Sequence, residues 1–146
     1  MVDDKLHILT NDFYKDYSTC KEILEKTRPY CIATIKVDGY TYGIPFRTNI
    51  HHKFSYIFKG SPRSENSGLD FSKAVIILKP TYIGPEAIID SFEYSIFVQK
   101  KTIIANRFEN FIRDYKKWVT NPIYFHKESL MEKTSLQYFH KELGLS

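Results

Sequence analysis

Two hydrophobic rhythms run along this chain. Residues 6–9, Leu-His-Ile-Leu, form a short apolar run that predicts a first strand. Phe13, Tyr17, Cys20, Ile23 and Leu24 then recur at helical spacing, which predicts an amphipathic helix over 11–26, capped by Thr10 or Asn11 and ended by Arg28-Pro29. Residues 30–37 are β-rich. Asp38-Gly39 is a two-residue hairpin signal, because such a turn needs positive φ. On the returning strand, 40–46, Tyr40, Tyr42, Ile44 and Phe46 share one face and Thr41, Gly43 and Pro45 the other, with Pro45 suggesting an edge or strand end. A polar connection, 47–52, leads to a strand at 53–58 with Phe54, Tyr56 and Phe58 on one face. Residues 59–72 read as a fourteen-residue loop, long for a passive connection. Strands are expected at 73–78 and 83–90.

From 91 to 119 the period turns helical, with Phe97, Ile104, Phe108, Phe111, Tyr115 and Trp118 as a stripe suited to packing on a sheet. Asn121-Pro122 stops that helix. Short helices follow around 128–133 and 135–143, with Gly144 near a C-cap position. The order is strand, helix, several antiparallel strands, long helix, small helices. It predicts a single α+β domain over 1–146: a strongly twisted antiparallel sheet or small barrel decorated with helices.

Composition changes this picture in one direction. The chain has 146 residues, 42% of them hydrophobic, enough for a core, and 16% aromatic, with 11 Tyr and 11 Phe. Each buried tyrosine needs a hydrogen-bond partner, so some tyrosines are expected at the surface. The net charge of +4 is unevenly spread. Arg47, Lys53, Lys59, Arg63, Lys73 and Lys79 face only Glu65 and Asp70 within 47–79, and a second basic group lies between Lys100 and Lys117. That distribution favours a polyanionic partner. The two cysteines, Cys20 and Cys31, lack metal-ligand spacing and read as reduced and structural. The acidic Met-Val-Asp-Asp-Lys start has no apolar h-region, and no apolar run reaches membrane-spanning length, so the expected location is cytoplasmic.

The chemistry concentrates in Arg47-Thr48-Asn49-Ile50-His51-His52-Lys53. This segment supplies cations for phosphate oxygens, imidazoles that titrate near neutrality, and groups that can orient a phosphodiester. Arg47 and Lys53 would stabilise a pentavalent transition state, His52 or His51 would move protons, and Thr48 and Asn49 would position the phosphate. A polar, solvated hairpin connection is the alternative reading. No carboxylate or further histidine stands at ligand spacing to His51 and His52, which argues against a metal. Arg63 and Ser64, with Lys73, sit on a polar loop that could close over a nucleic-acid backbone, while Asp70 and Lys73 could equally form a structural ion pair. Tyr40, Tyr42, Tyr56 and Tyr82 could stack on bases or pack across strands. His140, on the terminal helix, reads as surface decoration.

Four blocks carry a resemblance: Arg28-Pro29-Tyr30, Tyr42-Gly-Ile-Pro-Phe-Arg-Thr-Asn-Ile50, Ser67-Gly-Leu-Asp-Phe-Ser-Lys-Ala74 and Leu136-Gln-Tyr-Phe-His-Lys-Glu-Leu143. Together they resemble the toxins of type III toxin–antitoxin systems, the ToxN and AbiQ endoribonucleases, the CptN-like branch first and TenpN next. The resemblance runs from about residue 5 to the end. It implies an SH3-barrel-like sheet similar to Kid and MazF. It also implies metal-independent, sequence-specific RNA cleavage by 2′-hydroxyl attack, leaving 2′,3′-cyclic phosphate and 5′-hydroxyl ends, with no cofactor. The implied partners are cellular RNA and a small repetitive RNA antitoxin, folded as pseudoknots, that the toxin processes and that closes with it into an inhibited assembly. Such systems act in phage defence.

Arg47, Thr48, His52 and Lys53 are the catalytic candidates, with Tyr40, Tyr42, Asn49, His51, Arg63, Ser64 and Lys73 as RNA contacts. Thr48 and Lys53 match the family's hydroxyl-then-lysine pattern. The intervening Ile50-His51-His52 departs from it, so the histidines rest on chemistry alone. A non-catalytic RNA-binding module is the alternative.

Overall fold

Asp38 and Gly39 both take positive φ, 51° and 84°, as a two-residue turn of this kind requires. They join β2 (Cys31–Val37) to β3 (Tyr40–Arg47) in a register that runs from Val37 opposite Tyr40 to Ile32 opposite Pro45. The remaining strands assemble around this hairpin. The computed structural model describes residues 2–23 and 30–145. On one flank β1 (Leu6–Leu9) pairs with β2, and β7 (Ile83–Ala87) with β1. On the other, β3 pairs with β5 (Gly68–Asp70), which pairs with β4 (Ser55–Ile57). A two-residue strand, β6 (Val75–Ile76), adds to β3 at Tyr42 and Gly43. All pairings are antiparallel, and the seven-stranded sheet is open, with β4 and β7 at its ends.

The helices are α1 (Asn11–Asp16), α2 (Ser91–Gln99), α3 (Lys101–Thr120) and α4 (Glu128–Lys133), with 3-10 turns at Phe71–Lys73, Pro80–Tyr82, Pro122–Lys127 and Ser135–Phe139. The α+β class read from the sequence is the observed one. Ile104, Phe108, Phe111, Ile112 and Tyr115 of α3 are buried against the sheet. Phe108 meets Tyr42 and Phe71 edge-on, with ring centroids 5.2 and 5.3 Å away. Among the described residues no helix is long and apolar enough to cross a membrane.

Several elements differ from expectation, each for a physical reason. The helix expected over 11–26 ends at Asp16, and its expected stop at Arg28-Pro29 lies outside the described residues. Phe13 and Tyr17 instead form an aromatic cluster with Tyr82 and, through Tyr17, Phe139, and turns carry the chain on to a buried Ile23. Thr10 occupies the N-cap, but its hydroxyl donates to the Thr81 carbonyl at 2.7 Å rather than accepting from the helix.

Pro45 is not on an edge. It lies between the β3 residues paired with β6 and those paired with β5, so its missing N–H falls where the partner changes. The 59–72 loop contains β5, which its Gly and Asp content concealed. A Cβ at Gly68 would overlap the Tyr56 carbonyl, so only glycine lets β5 approach β4 this closely. The strand at 73–78 shrinks to two residues. The single helix over 91–119 is two, broken at Lys100 without proline or glycine. The break separates different duties: α2 turns Glu93 toward the 61–67 loop, and α3 lies on the sheet.

Candidate functional site

Asp70 is fully buried and organises the region around Arg47. Its backbone is placed by pairing opposite Ser55, and Gly68 beside it pairs opposite Arg47 at the end of β3. One carboxylate oxygen accepts from Arg47 Nη1 at 2.7 Å. The other accepts from Ser72 Oγ at 2.6 Å and from the Ser72 N–H at 3.1 Å, and lies 3.2 Å from His52 Nε2. Burial pushes the Asp70 carboxyl up, but hydrogen bonds from His52 and Ser72, with Arg47 behind them, outweigh it and hold the group below its ordinary value. The network thus keeps an ionised carboxylate inside the protein, with Arg47 as its partly exposed outer face.

His52 has no free ring nitrogen in this arrangement. Nδ1 accepts from the Phe54 N–H at 3.1 Å, so the proton sits on Nε2 and is donated toward Asp70. Phe54 forms the partition to a second half of the region. Its ring stands 5.8 Å from His52 and 5.6 Å from Trp118. Beyond it lies an open cleft of about 400 Å³ lined by Lys53, Phe54, Arg107, Asn110, Asp114 and Trp118, among others. Arg107, Asn110, Asp114 and Trp118 recur at helical spacing along α3 and so share one ridge.

Lys127 Nζ lies 4.8 Å from the Trp118 ring and 5.5 Å from that of Phe54, and Lys53 Nζ lies 5.8 Å from Phe54. Desolvation first, then the neighbouring Lys53 ammonium, push Lys127 below the ordinary lysine value, with Asp114 opposing. Among the described residues neither lysine forms an ion pair within 4.0 Å. Two ammonium groups held together on an aromatic wall concentrate positive potential, which attracts anions.

The residues singled out in the sequence are distributed unevenly. Arg47, His52 and Lys53 belong to these two adjoining halves. Thr48 is partly exposed, and among the described residues its hydroxyl has no partner. Asn49 takes positive φ, 57°, and turns the chain so that buried Ile50 can bond the Asn66 carbonyl at 3.0 Å, while His51 is exposed on the same loop.

The other candidates are placed elsewhere. Tyr42 is in the core against Phe108, with no face left for a base. Tyr56 and Tyr82 are also buried. Tyr40 is exposed, but at the far end of β3 from Arg47, ~23 Å away at ~3.3 Å per residue. Arg63 is paired to fully buried Glu93 at 2.9 Å, alongside Ser61 and Ser67, which donate to the other Glu93 oxygen. Ser64 closes a local turn by accepting from the Asn66 N–H at 3.2 Å. Lys73 does not pair with Asp70; its ammonium clamps the Glu22 and Lys133 carbonyls at 3.0 and 2.7 Å. His140 is not surface decoration, because its Nε2 lies 2.7 Å from the buried Tyr115 hydroxyl.

Sequence reading missed Asp70 as the hub, Glu93 as a second buried carboxylate, and Lys127, and it took Trp118 for a core residue. The Gly-Leu-Asp-Phe-Ser-Lys block contained the signal for Asp70, an Asp two residues before a Ser that it can accept from. Lys127 had none, since its neighbour in space is Lys53. Among the described residues no group of three or more His, Cys, Asp or Glu is placed to hold a metal ion. No family model, curated protein or solved structure matches this chain.

Proposed function

We propose that this chain is an endoribonuclease toxin of the type III toxin–antitoxin kind, cleaving RNA by 2′-hydroxyl attack and restrained by a repetitive pseudoknot RNA that it processes. The observation that supports it best is the juxtaposition of two cationic elements along one loop. Arg47 is held rigid by buried Asp70, and Lys53 stands beside Lys127, neither of them in an ion pair within 4.0 Å among the described residues, with Asp114 offsetting their charge only at longer range. Rigid donors aimed at developing phosphorane charge need no reorganisation during reaction.

In this reading Arg47 and Lys53 stabilise the extra charge on the non-bridging oxygens, and Thr48 orients the phosphate. His52, with both nitrogens engaged, is a positioning residue that holds Asp70 and through it Arg47. His51, exposed on the same loop, is left to take the 2′-hydroxyl proton. The attacking 2′-oxygen bonds to phosphorus as the P–O5′ bond breaks, giving the cyclic phosphate, and the departing 5′-oxygen takes a proton from solvent water to leave as a hydroxyl. The RNA antitoxin and kinship to the SH3-like Kid and MazF sheet are carried by the resemblance of the four sequence blocks.

The test is incubation of purified protein with an RNA pool in excess EDTA. The expected result is cyclic-phosphate and 5′-hydroxyl ends. Lys53→Ala is expected to lose cleavage by at least about 100-fold and to be harmless when expressed without antitoxin RNA, with unchanged circular dichroism. Undiminished cleavage by that variant would sink the placement of the site. The engagement of both His52 nitrogens favours a second reading, a non-catalytic RNA-binding module. It predicts salt-sensitive binding with intact RNA.

A further inference from the structure

The cleft between Phe54 and Trp118 shares Lys53 with the loop of the proposed catalytic residues and adds features that the loop does not use. Its wall is aromatic: Trp118 and Phe54 meet at 66° with centroids 5.6 Å apart, and Phe111 closes the back, 5.8 Å from Phe54. Its rim is cationic, with Lys53 and Lys127 against the rings and Arg107 standing 5.1 Å over Tyr56. Asn110 and Asp114 add polar groups from the same α3 ridge. Asn110 Oδ1 already accepts from Arg113 Nη2 at 2.5 Å, so its amide is turned to donate. Asp114 supplies a carboxylate acceptor on the cleft wall. An aromatic wall beside two ammonium groups that share one longer-range carboxylate, Asp114, and so keep a net positive charge, matches one unit of single-stranded RNA: a base to stack and a phosphate to bridge the cations.

We infer that this cleft is a nucleotide subsite that stacks one unpaired base on Trp118 with its edge toward Phe54, seats its phosphate between Lys53 and Lys127, and selects for an exocyclic amine through Asp114. The selection follows from donor and acceptor chemistry. A carboxylate accepts from the amino group of adenine, guanine or cytosine. Uracil has no amino group; it offers only its single imide N3–H, flanked by two carbonyl oxygens that the carboxylate repels, and so is the weakest donor of the four. Purines offer the larger stacking face, so the expected order is purine, then cytosine, then uracil. The inference rests on RNA being the ligand proposed above and adds the subsite and its base preference.

Trp118 is the chain's single tryptophan, so its fluorescence reports this cleft alone. The probes are 2′-O-methyl tetranucleotides of A, C or U, which cannot be cleaved by 2′-hydroxyl attack. Saturable quenching is expected, with the A probe binding at least about tenfold tighter than the U probe. Asp114→Leu should bring A and U to within about twofold while retaining binding. Trp118→Leu, read by anisotropy of a labelled A probe, should weaken binding roughly 5- to 150-fold. Lys127→Gln, a surface change that leaves the aromatic wall in place, should lower the salt slope of log affinity by about 0.7.

Equal affinity for A and U, or binding without any change in Trp118 fluorescence, would overturn the inference. Unmodified RNA in EDTA keeps the two readings apart. Base-selective quenching without cleavage leaves the subsite standing and removes the nuclease. Cleavage that is indifferent to Trp118→Leu and Lys127→Gln removes the subsite and leaves the nuclease.

Discussion

Asp70 shows how one residue can serve both stability and function. Its carboxylate has no exposed surface, yet it remains ionised, because Arg47, Ser72 and His52 together supply the hydrogen bonds that water would. Removing it leaves the partly exposed Arg47 guanidinium and the buried Ser72 donors without their acceptor. Asp70→Ala is therefore expected to cost about 3 kcal/mol, seen as a melting midpoint lower by roughly 10 °C, and, on the proposed function, to weaken RNA binding by freeing Arg47. The pH dependence has a definite sign. A carboxyl held below its unfolded value of 3.8 contributes stability that is complete above that pH and is lost as pH falls through the lower folded value. Denaturant titrations should show that acid loss in the wild type and a flatter acid limb in Asp70→Asn. An identical limb in the two would mean that other carboxylates govern it.

At the scale of elements, α2 and the 61–67 loop are fastened by a second buried carboxylate. Glu93 takes Arg63, Ser61 and Ser67, and its own N–H is capped by Asp90 at 3.0 Å. Ile50 then ties the 47–53 loop to Asn66 in that same 61–67 loop. Glu93 is thus two steps from Arg47 without touching it. Glu93→Ala is expected to cost about 2–4 kcal/mol, because Ser67 is left as a buried donor without an acceptor. Hydrogen exchange should rise across 50–67 while the amides of β2 stay protected. Exchange confined to α2 would show that the loop is held independently. This arrangement also explains why a polar loop of Gly, Ser and Asn stays in place: the Ser61 and Ser67 hydroxyls point inward to one carboxylate, and Ser64 closes a local turn.

Across the whole molecule the tail closes the structure from behind. Thr134 and Ser135 bond the Ser72 and Ala74 carbonyls at 2.5 Å each, and Lys73 returns the contact to Lys133. The tail therefore braces the turn that carries Ser72, far from it in sequence. Farther on, His140 meets the Tyr115 hydroxyl, and burial holds its imidazole below the ordinary value of 6.5. The unfolded chain then binds the proton more readily than the folded one. Stability from this group is complete above about pH 6.5 and is lost as pH falls toward the lower folded value. Thermal midpoints measured from pH 7.5 to 5 should fall in the wild type and less in His140→Gln, whose amide can still meet Tyr115. Parallel curves would assign the acid loss elsewhere.

The sequence by itself determined those features whose cause is local. The Asp38-Gly39 turn needed only two residues able to adopt positive φ. The α3 stripe needed only a period, Asn121-Pro122 only a missing N–H, and α4 a short helical run. The cationic loop was legible too, because charge and residue type do not depend on folding. The tertiary structure decided everything that depends on partners distant in the chain. Arg47 and Asp70 are 23 residues apart, and no periodicity links them. β5 is a strand because β3 and β4 offer it two ladders, which outweigh the poor strand propensity of Gly68 and Asp70. Tyr42 lost its place as a base-stacking candidate because burial against Phe108 is worth more than exposure. Trp118 and Lys127 became part of the site because folding carried them to Phe54. Local rules state what a residue can do, but long-range packing determines which of those capacities are left facing solvent.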